Sequence, residues 1–113
     1  MFTYAIIYAN GTDSVFMSES SPDYNTLRKA VGGWIEGVAL VGVTAYCNEE
    51  GKLEGLPVNA LATRLAHTDK AIYPNDTING DMIVLGPLDD EGESTSLSDE
   101  WIRVNLTSVG QLA

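Results

Sequence analysis

The sequence predicts a single α+β domain, with a small mixed or antiparallel sheet of about five strands and two to three short helices. Three observations predict this class. Short alternating or apolar runs are separated by turn residues, proline and glycine residues frame short helical segments, and a length of 113 residues suits one domain with its own core. We therefore treat 1–113 as one compact domain that includes an acidic loop at 89–97.

The chain begins with TYAIIYANGTDSVFMSES, a pattern that predicts a β-hairpin. Asn10 and Gly11 are suited to the two positive-φ positions of a type I′ turn. In that register one face of the hairpin, the expected core side, carries Tyr4, Ile6, Tyr8, Val15 and Met17. A four-residue loop NGTD would change this pairing, because a shift of one residue moves each side chain to the other face.

A short helix is predicted from the next segment, SPDYNTLRKAVGG. Ser21 is suited to the N-cap, Pro22 to the first helical position and Asp23 to the first turn. Gly32 can end the helix in the left-handed conformation, and Gly33 allows the chain to reverse.

The segment WIEGVALV then predicts a strand in which Glu36 shares a side with Trp34 and Val38. A carboxylate on a partly apolar face is costly unless it has a partner. The internal candidates for that partner are Arg28, Lys29 and Arg64. A ligand or a neighbouring subunit could serve equally well.

Four further elements follow. VTAYC predicts a strand that ends at a turn. LPVNALATRLAHT predicts a helix with Asn59 as N-cap and with Leu61, Leu65 and, as a third candidate, Ala62 facing inward. MIVLG is a continuously apolar run that suits an interior strand. SDEWIRVNLTSVGQLA is compatible with a terminal helix capped by Ser98, or with a strand.

Sixteen acidic and six basic residues give a formal net charge of −10. This charge disfavours direct binding to nucleic acid or to an anionic membrane. The single cysteine, Cys47, cannot form an internal disulfide, and no apolar run is long enough to cross a bilayer. We expect a protein of the bacterial cytoplasm with Cys47 in its core.

The residues of known catalytic motifs are sparse. One histidine, His67, and one cysteine cannot build the usual zinc sites within one chain, and DDEGE lacks the ligand spacing of a calcium loop. VGGWIEG lacks the glycine spacing of a phosphate-binding loop. We therefore expect no enzyme activity, no metal and no cofactor. A hydrolase using Glu36 and Asp81 is a remote alternative.

Three ordered motifs, VGGWIEGV, NEEGKLEGLPVNALAT and NGDMIVLGP, span about half the chain. With them the sequence resembles the family named domain of unknown function 3846, small proteins or domains of bacteria, phages and other mobile elements. The resemblance implies that certain residues occupy recurring positions of the family: Gly32, Gly33, Glu36, Glu50, Gly51, Leu56, Pro57, Asn59 and Gly80. It also implies a phage or mobile-element origin, and it supplies no activity.

Two classes of function follow. The first is a non-enzymatic accessory protein that binds a bacterial host protein, through the hairpin edge by strand addition. Its variant is an acidic DNA mimic. The second is an oligomeric protein that sequesters a nucleotide-like small molecule, with Trp34 or Tyr73 stacking on a base and Glu36 and Asn59 contacting its polar edge. Across these hypotheses the candidate residues are Trp34, Glu36, Asn59, Tyr73 and Asp81.

Overall fold

The structure, a computed structural model, describes residues 1–106 of the chain. Within these residues the protein forms one five-stranded sheet and three helices. In chain order they are β1 (Phe2–Ile7), β2 (Asp13–Ser18), α1 (Tyr24–Val31), β3 (Ile35–Val38), β4 (Thr44–Asn48), α2 (Ala60–Thr68), β5 (Met82–Leu85) and α3 (Asp99–Asn105). The predicted α+β class and the opening hairpin are confirmed.

All neighbouring strands of the sheet are antiparallel, in the order β2-β1-β5-β4-β3. The central strand β5 is buried along its whole length, as the apolar run MIVLG predicts. Strands β2 and β3 form the two edges. The last strand in sequence therefore lies beside the first.

Successive side chains of a strand point to opposite faces, and this sheet buries apolar residues on both. One core contains Met82 and Val84, with Ala62 and Ala66 of α2 and Ile102 of α3. The other contains Ile83 and Leu85, with Val31 of α1. The sheet therefore lies between α1 on one side and α2 with α3 on the other.

The register of the hairpin differs from the predicted one. Tyr4 pairs with Phe16, and Ile7 pairs with Asp13, so the connection is longer than two residues. Two backbone hydrogen bonds close it, from the Tyr8 N–H to the Thr12 carbonyl and from the Gly11 N–H to the Tyr8 carbonyl. The prediction that Tyr4 and Ile6 share a face with Val15 and Met17 is wrong, because the longer loop shifts the pairing.

Helix α1 begins later than predicted. Asp23, and not Ser21, is the N-cap, and its carboxylate accepts a hydrogen bond from the Thr26 N–H. Gly32 ends the helix with φ of 78°, the left-handed conformation that was predicted. Gly33 is required for another reason: a Cβ atom there would lie 2.9 Å from Asn48 Nδ2.

Helices α2 and α3 begin at the predicted caps. Asn59 accepts a hydrogen bond from the Ala62 N–H, and Ser98 accepts one from the Trp101 N–H. The buried residues of α2 are Ala62, which was the third candidate, and Ala66, whereas the two predicted leucines are half-buried. The segment from Ser98 is thus helical to Asn105, and residues 107–113 of it lie outside the described part.

Within residues 1–106, no helix has both the length and the apolar character that a membrane span requires.

Candidate functional site

The outer edge of β2 has backbone groups that are free to pair. Thr3 of β1 donates its N–H to Ser96 Oγ and accepts a hydrogen bond from the Leu97 N–H, each at 2.8 Å, so its backbone groups point away from β2. Because backbone groups alternate along a strand, the neighbours Phe2 and Tyr4 bond to β2 instead. The residues of β2 opposite them then point inward, and Val15 and Met17 point outward.

By this alternation the backbone groups of Val15 and Met17 point away from β1, and outside the ladder with β1 neither residue has a backbone hydrogen bond to another residue within 1–106. We call this segment, 13–18 together with the flanking Glu19, the open edge. Met17 is 66% exposed. Phe16 stacks on Tyr4, with the ring centroids 5.2 Å apart, and this contact stabilises the pairing of β2 with β1. An edge of this kind, without proline or lysine, is a template for an additional strand.

Glu36 lies on the exposed rim of the opposite edge strand, β3. It faces Cys47 of β4, whose Sγ atom is 4.0 Å from Glu36 Oε1, and Val38 shares its side as predicted. Arg28, Lys29 and Arg64 form no ion pair with it; within residues 1–106 the one ion pair joins Lys52 and Asp76. Exposure to solvent removes the need for an internal partner.

A small cleft of about 110 Å³ lies beside Glu36. Its polar lining includes Asn48, Lys52, Asp76 and Asn79. Pockets that enclose drug-sized or nucleotide-sized molecules are usually about 300–1,000 Å³. The cleft is therefore too small for the nucleotide-like ligand that the sequence suggested.

Cys47 also lines this cleft. Burial in the core raises the pKa of its thiol to about 11, and the neighbouring Glu36 carboxylate acts in the same direction. Since the thiolate is the nucleophilic form, the thiol is largely inert at neutral pH. Its placement agrees with the predicted core position.

Asn59 is 1% exposed, and both ends of its amide are engaged. Its Oδ1 atom caps α2, and its Nδ2 atom donates to the carbonyls of Ile7 at 2.8 Å and Gly80 at 2.9 Å. It joins α2, β1 and the turn before β5. The sequence favoured a helix cap over a ligand contact at Asn59, and the structure shows it as the cap of α2.

Asp81 lies beside this junction. Its Oδ1 atom accepts a hydrogen bond from the Ala9 N–H at 2.8 Å, which holds the hairpin loop against the start of β5. Asp81 does not line the cleft beside Glu36. The geometry thus gives no support to a paired-carboxylate hydrolase.

Trp34 and Tyr73 lie in two separate surface regions. The Arg28 guanidinium stacks over the Trp34 ring, 3.8 Å from its centroid, on the α1 side of the sheet. Tyr73 is 80% exposed and lines an open depression with His67 and Lys70. The five candidate residues are therefore not brought together into one pocket.

Sequence reasoning missed two features. The outward backbone groups of Val15 and Met17 depend on the hairpin register, which a longer loop determines. The pairing of Arg28 with Trp34 across the Gly32-Gly33 turn is a tertiary contact, although a cation six residues before a tryptophan at a helix end is a signal that could have suggested it.

In the part of the chain that the structure describes, no group of three or more histidine, cysteine, aspartate or glutamate residues is arranged to hold a metal ion.

Fold and surface together define a small α+β domain, with helices on both faces of an antiparallel sheet and an open edge strand. The chain belongs to the family described as domain of unknown function DUF3846, whose family model matches residues 3–109. No curated protein and no solved structure matches the chain.

Proposed function

We propose that this chain is a non-enzymatic accessory protein of a phage or mobile element, which acts in the bacterial cytoplasm by binding a host protein. The single observation that carries the binding proposal is the open edge, where Val15 and Met17 direct unpaired backbone groups outward. Strand addition at such an edge obtains affinity from main-chain hydrogen bonds and specificity from alternate side chains.

The negative charge of the chain favours a partner with basic residues. Asp13 and Glu19 are the first and last residues of the open edge, and the whole chain carries a formal charge of −10. Opposite charges across an interface increase the rate of encounter and fix the register of pairing. The favoured partner segment is therefore an extended peptide with Lys or Arg near its ends.

The same charges disfavour pairing of the edge with a second copy of this chain. An antiparallel pair centred on Phe16 would place Val15 opposite Met17 and Asp13 opposite Glu19 of the other copy. Like charges directly opposite each other in adjacent strands are destabilising. Self-association of two copies of this chain through the open edge is therefore disfavoured.

The test is selection from a display library of random extended peptides, followed by affinity measurements on the selected peptides. We expect enrichment of Lys and Arg around alternating apolar residues. Met17→Pro removes one outward N–H without removing a bond to β1, and it should weaken binding about tenfold or more. Met17→Ala is the matched control, since it shortens the side chain and keeps the N–H; it should cost less than about threefold.

Amide hydrogen exchange gives a second measurement on the unaltered protein. Binding should slow exchange at Val15 and Met17 more than at Ile35 and Gly37, which lie on the opposite edge strand. Equal affinity of the selected peptides for the protein and for Met17→Pro, with no protection at Val15 and Met17, would overturn strand addition at this edge.

A further inference from the structure

A shallow depression at the end of α1 differs in charge from the rest of this acidic protein. Its lining consists of Asn25, Arg28, Lys29, Gly32 and Gly33. Two of the six basic residues of the chain lie here, and no acidic side chain lines it. We call it the α1-end depression.

Arg28 is held in place at this depression. Its guanidinium lies over the Trp34 ring at 3.8 Å, so one face of the planar group is covered by the indole. A guanidinium packed against a ring keeps its N–H donors in one plane at the edge of the group, and planar paired donors are the geometry that binds an oxyanion in a bidentate manner.

Arg28 also has an unused donor. Its Nε atom is buried and has no hydrogen-bond partner in the described chain. Neither Arg28 nor Lys29 takes part in the ion pair found among residues 1–106. A buried donor without an acceptor is costly, and a small movement of the guanidinium toward a bound anion would relieve that cost.

These two cations also have one ordinary structural role in the helix. Arg28 and Lys29 lie in the last turn of α1, where positive charge is favourable for the helix dipole. That role accounts for the charge. It does not account for the stacking of Arg28 on Trp34 or for the unpaired Nε atom.

We propose that the α1-end depression binds an oxyanion, the phosphate or carboxylate group of a small ligand, with Arg28 as the bidentate donor and Lys29 as a second charge. This site is separate from the open edge, which lies at the opposite end of the sheet order. The anion-binding proposal is independent of the proposed function, so an experiment can refute one of them without refuting the other.

The experiment is an NMR titration of the intact protein with inorganic phosphate, a phosphate monoester, acetate and chloride. The signals to follow are the Arg28 Nε–H and the Trp34 indole N–H. We expect saturable shifts of both signals by the oxyanions, with dissociation constants on the order of millimolar, and no saturation by chloride at matched ionic strength. A larger response to the monoester than to acetate identifies phosphate as the source of the oxyanion, and the reverse identifies carboxylate.

Substitutions distinguish a specific anion-binding site from a general effect of positive charge. Arg28→Gln should weaken binding about tenfold or more, whereas Arg28→Lys, which keeps the charge and loses the planar donors, should recover only part of it. Lys29→Gln affects an exposed side chain, so it tests the proposal even if Arg28→Gln is poorly folded. Arg64→Gln on α2 is the control and should leave the titration unchanged.

Absence of saturable shifts at Arg28 and Trp34, or equal loss of binding in Arg64→Gln and Lys29→Gln, would overturn the proposal.

Discussion

The helix N-caps on the two sides of the sheet differ in how much of the structure they join. On the α2 side, the buried amide of Asn59 caps the helix and donates to the carbonyls of Ile7 and Gly80, so one side chain joins three segments. On the α1 side, the cap Asp23 is solvent-exposed and bonds only to its own helix. That helix is held to the sheet by apolar contacts of Val31 and by a hydrogen bond from Asn48 Nδ2 to the Val31 carbonyl.

The difference teaches that two chemically similar N-caps can have unequal structural importance. A cap in water can be replaced by water when it is lost. A buried amide with three hydrogen bonds leaves several groups without partners when it is removed. Three substitutions can break or sharpen this comparison.

The largest effect is expected for Asn59→Ala. It removes the cap of α2 and leaves the carbonyls of Ile7 and Gly80 without their donor, so the free energy of unfolding should fall by about 3 kcal/mol. Urea unfolding followed by circular dichroism measures the change. Asp23→Ala is the matched control, and an equally large loss there would contradict the distinction between the two sides.

An intermediate effect is expected for Gly33→Ala on the α1 side. The new Cβ atom would lie 2.9 Å from Nδ2 of Asn48, a buried side chain that donates to the carbonyl of Val31. Displacing it should cost about 1–2 kcal/mol. Gly37→Ala is the control, because a Cβ atom added at Gly37 would have no neighbouring atom within 4 Å.

A double-mutant cycle then identifies the cause of the Gly33→Ala effect. If the clash with Asn48 is responsible, Gly33→Ala should cost much less in an Asn48→Ala protein than in the natural one. Additive losses in the cycle would place the cause elsewhere.

The smallest effect is expected for Asp23→Asn, and it depends on pH. Backbone and side-chain hydrogen bonds from Thr26 lower the pKa of the Asp23 carboxyl below 3.8. The ionised cap therefore adds stability above the unfolded pKa, and this contribution is lost as the pH falls through the folded pKa. Asparagine caps without titrating.

Melting temperatures at pH 7 and pH 2 check this prediction. The aspartate protein should be at least as stable as Asp23→Asn at pH 7 and less stable at pH 2. Glu19→Gln, at an exposed carboxylate outside the helices, is the control for the general effect of one charge. No change of order between the two pH values would show that the carboxylate does not act as a titrating cap.

Local signals predicted much of this fold. Gly32, Asn59 and Ser98 act at helix ends through interactions with residues no more than a few positions away, so their residue types were sufficient. The apolar run MIVLG likewise predicted the buried strand β5. These features need no knowledge of the tertiary structure.

The predictions that were wrong concern geometry that the residue types alone do not determine. Asn10-Gly11 is compatible with more than one loop length, and the longer loop reversed the expected faces of the hairpin. Ser21 and Asp23 are both good caps, and the chain uses the later one. The candidate residues Trp34, Asn59 and Tyr73 have different surroundings because separate segments carry them, which a linear pattern cannot reveal.

The order of the strands also has a kinetic consequence. Central strand β5 pairs with β1 across more than seventy residues of chain, for example Ile7 with Met82. Folding rates fall as the sequence separation of contacts grows, because the entropy of closing the intervening loop is lost before the contacts form. During synthesis the edge of β1 that faces β5 therefore has no partner strand until Met82–Leu85 has been made. Among the five strands, β1 therefore has the longest interval between its own synthesis and that of its second partner strand.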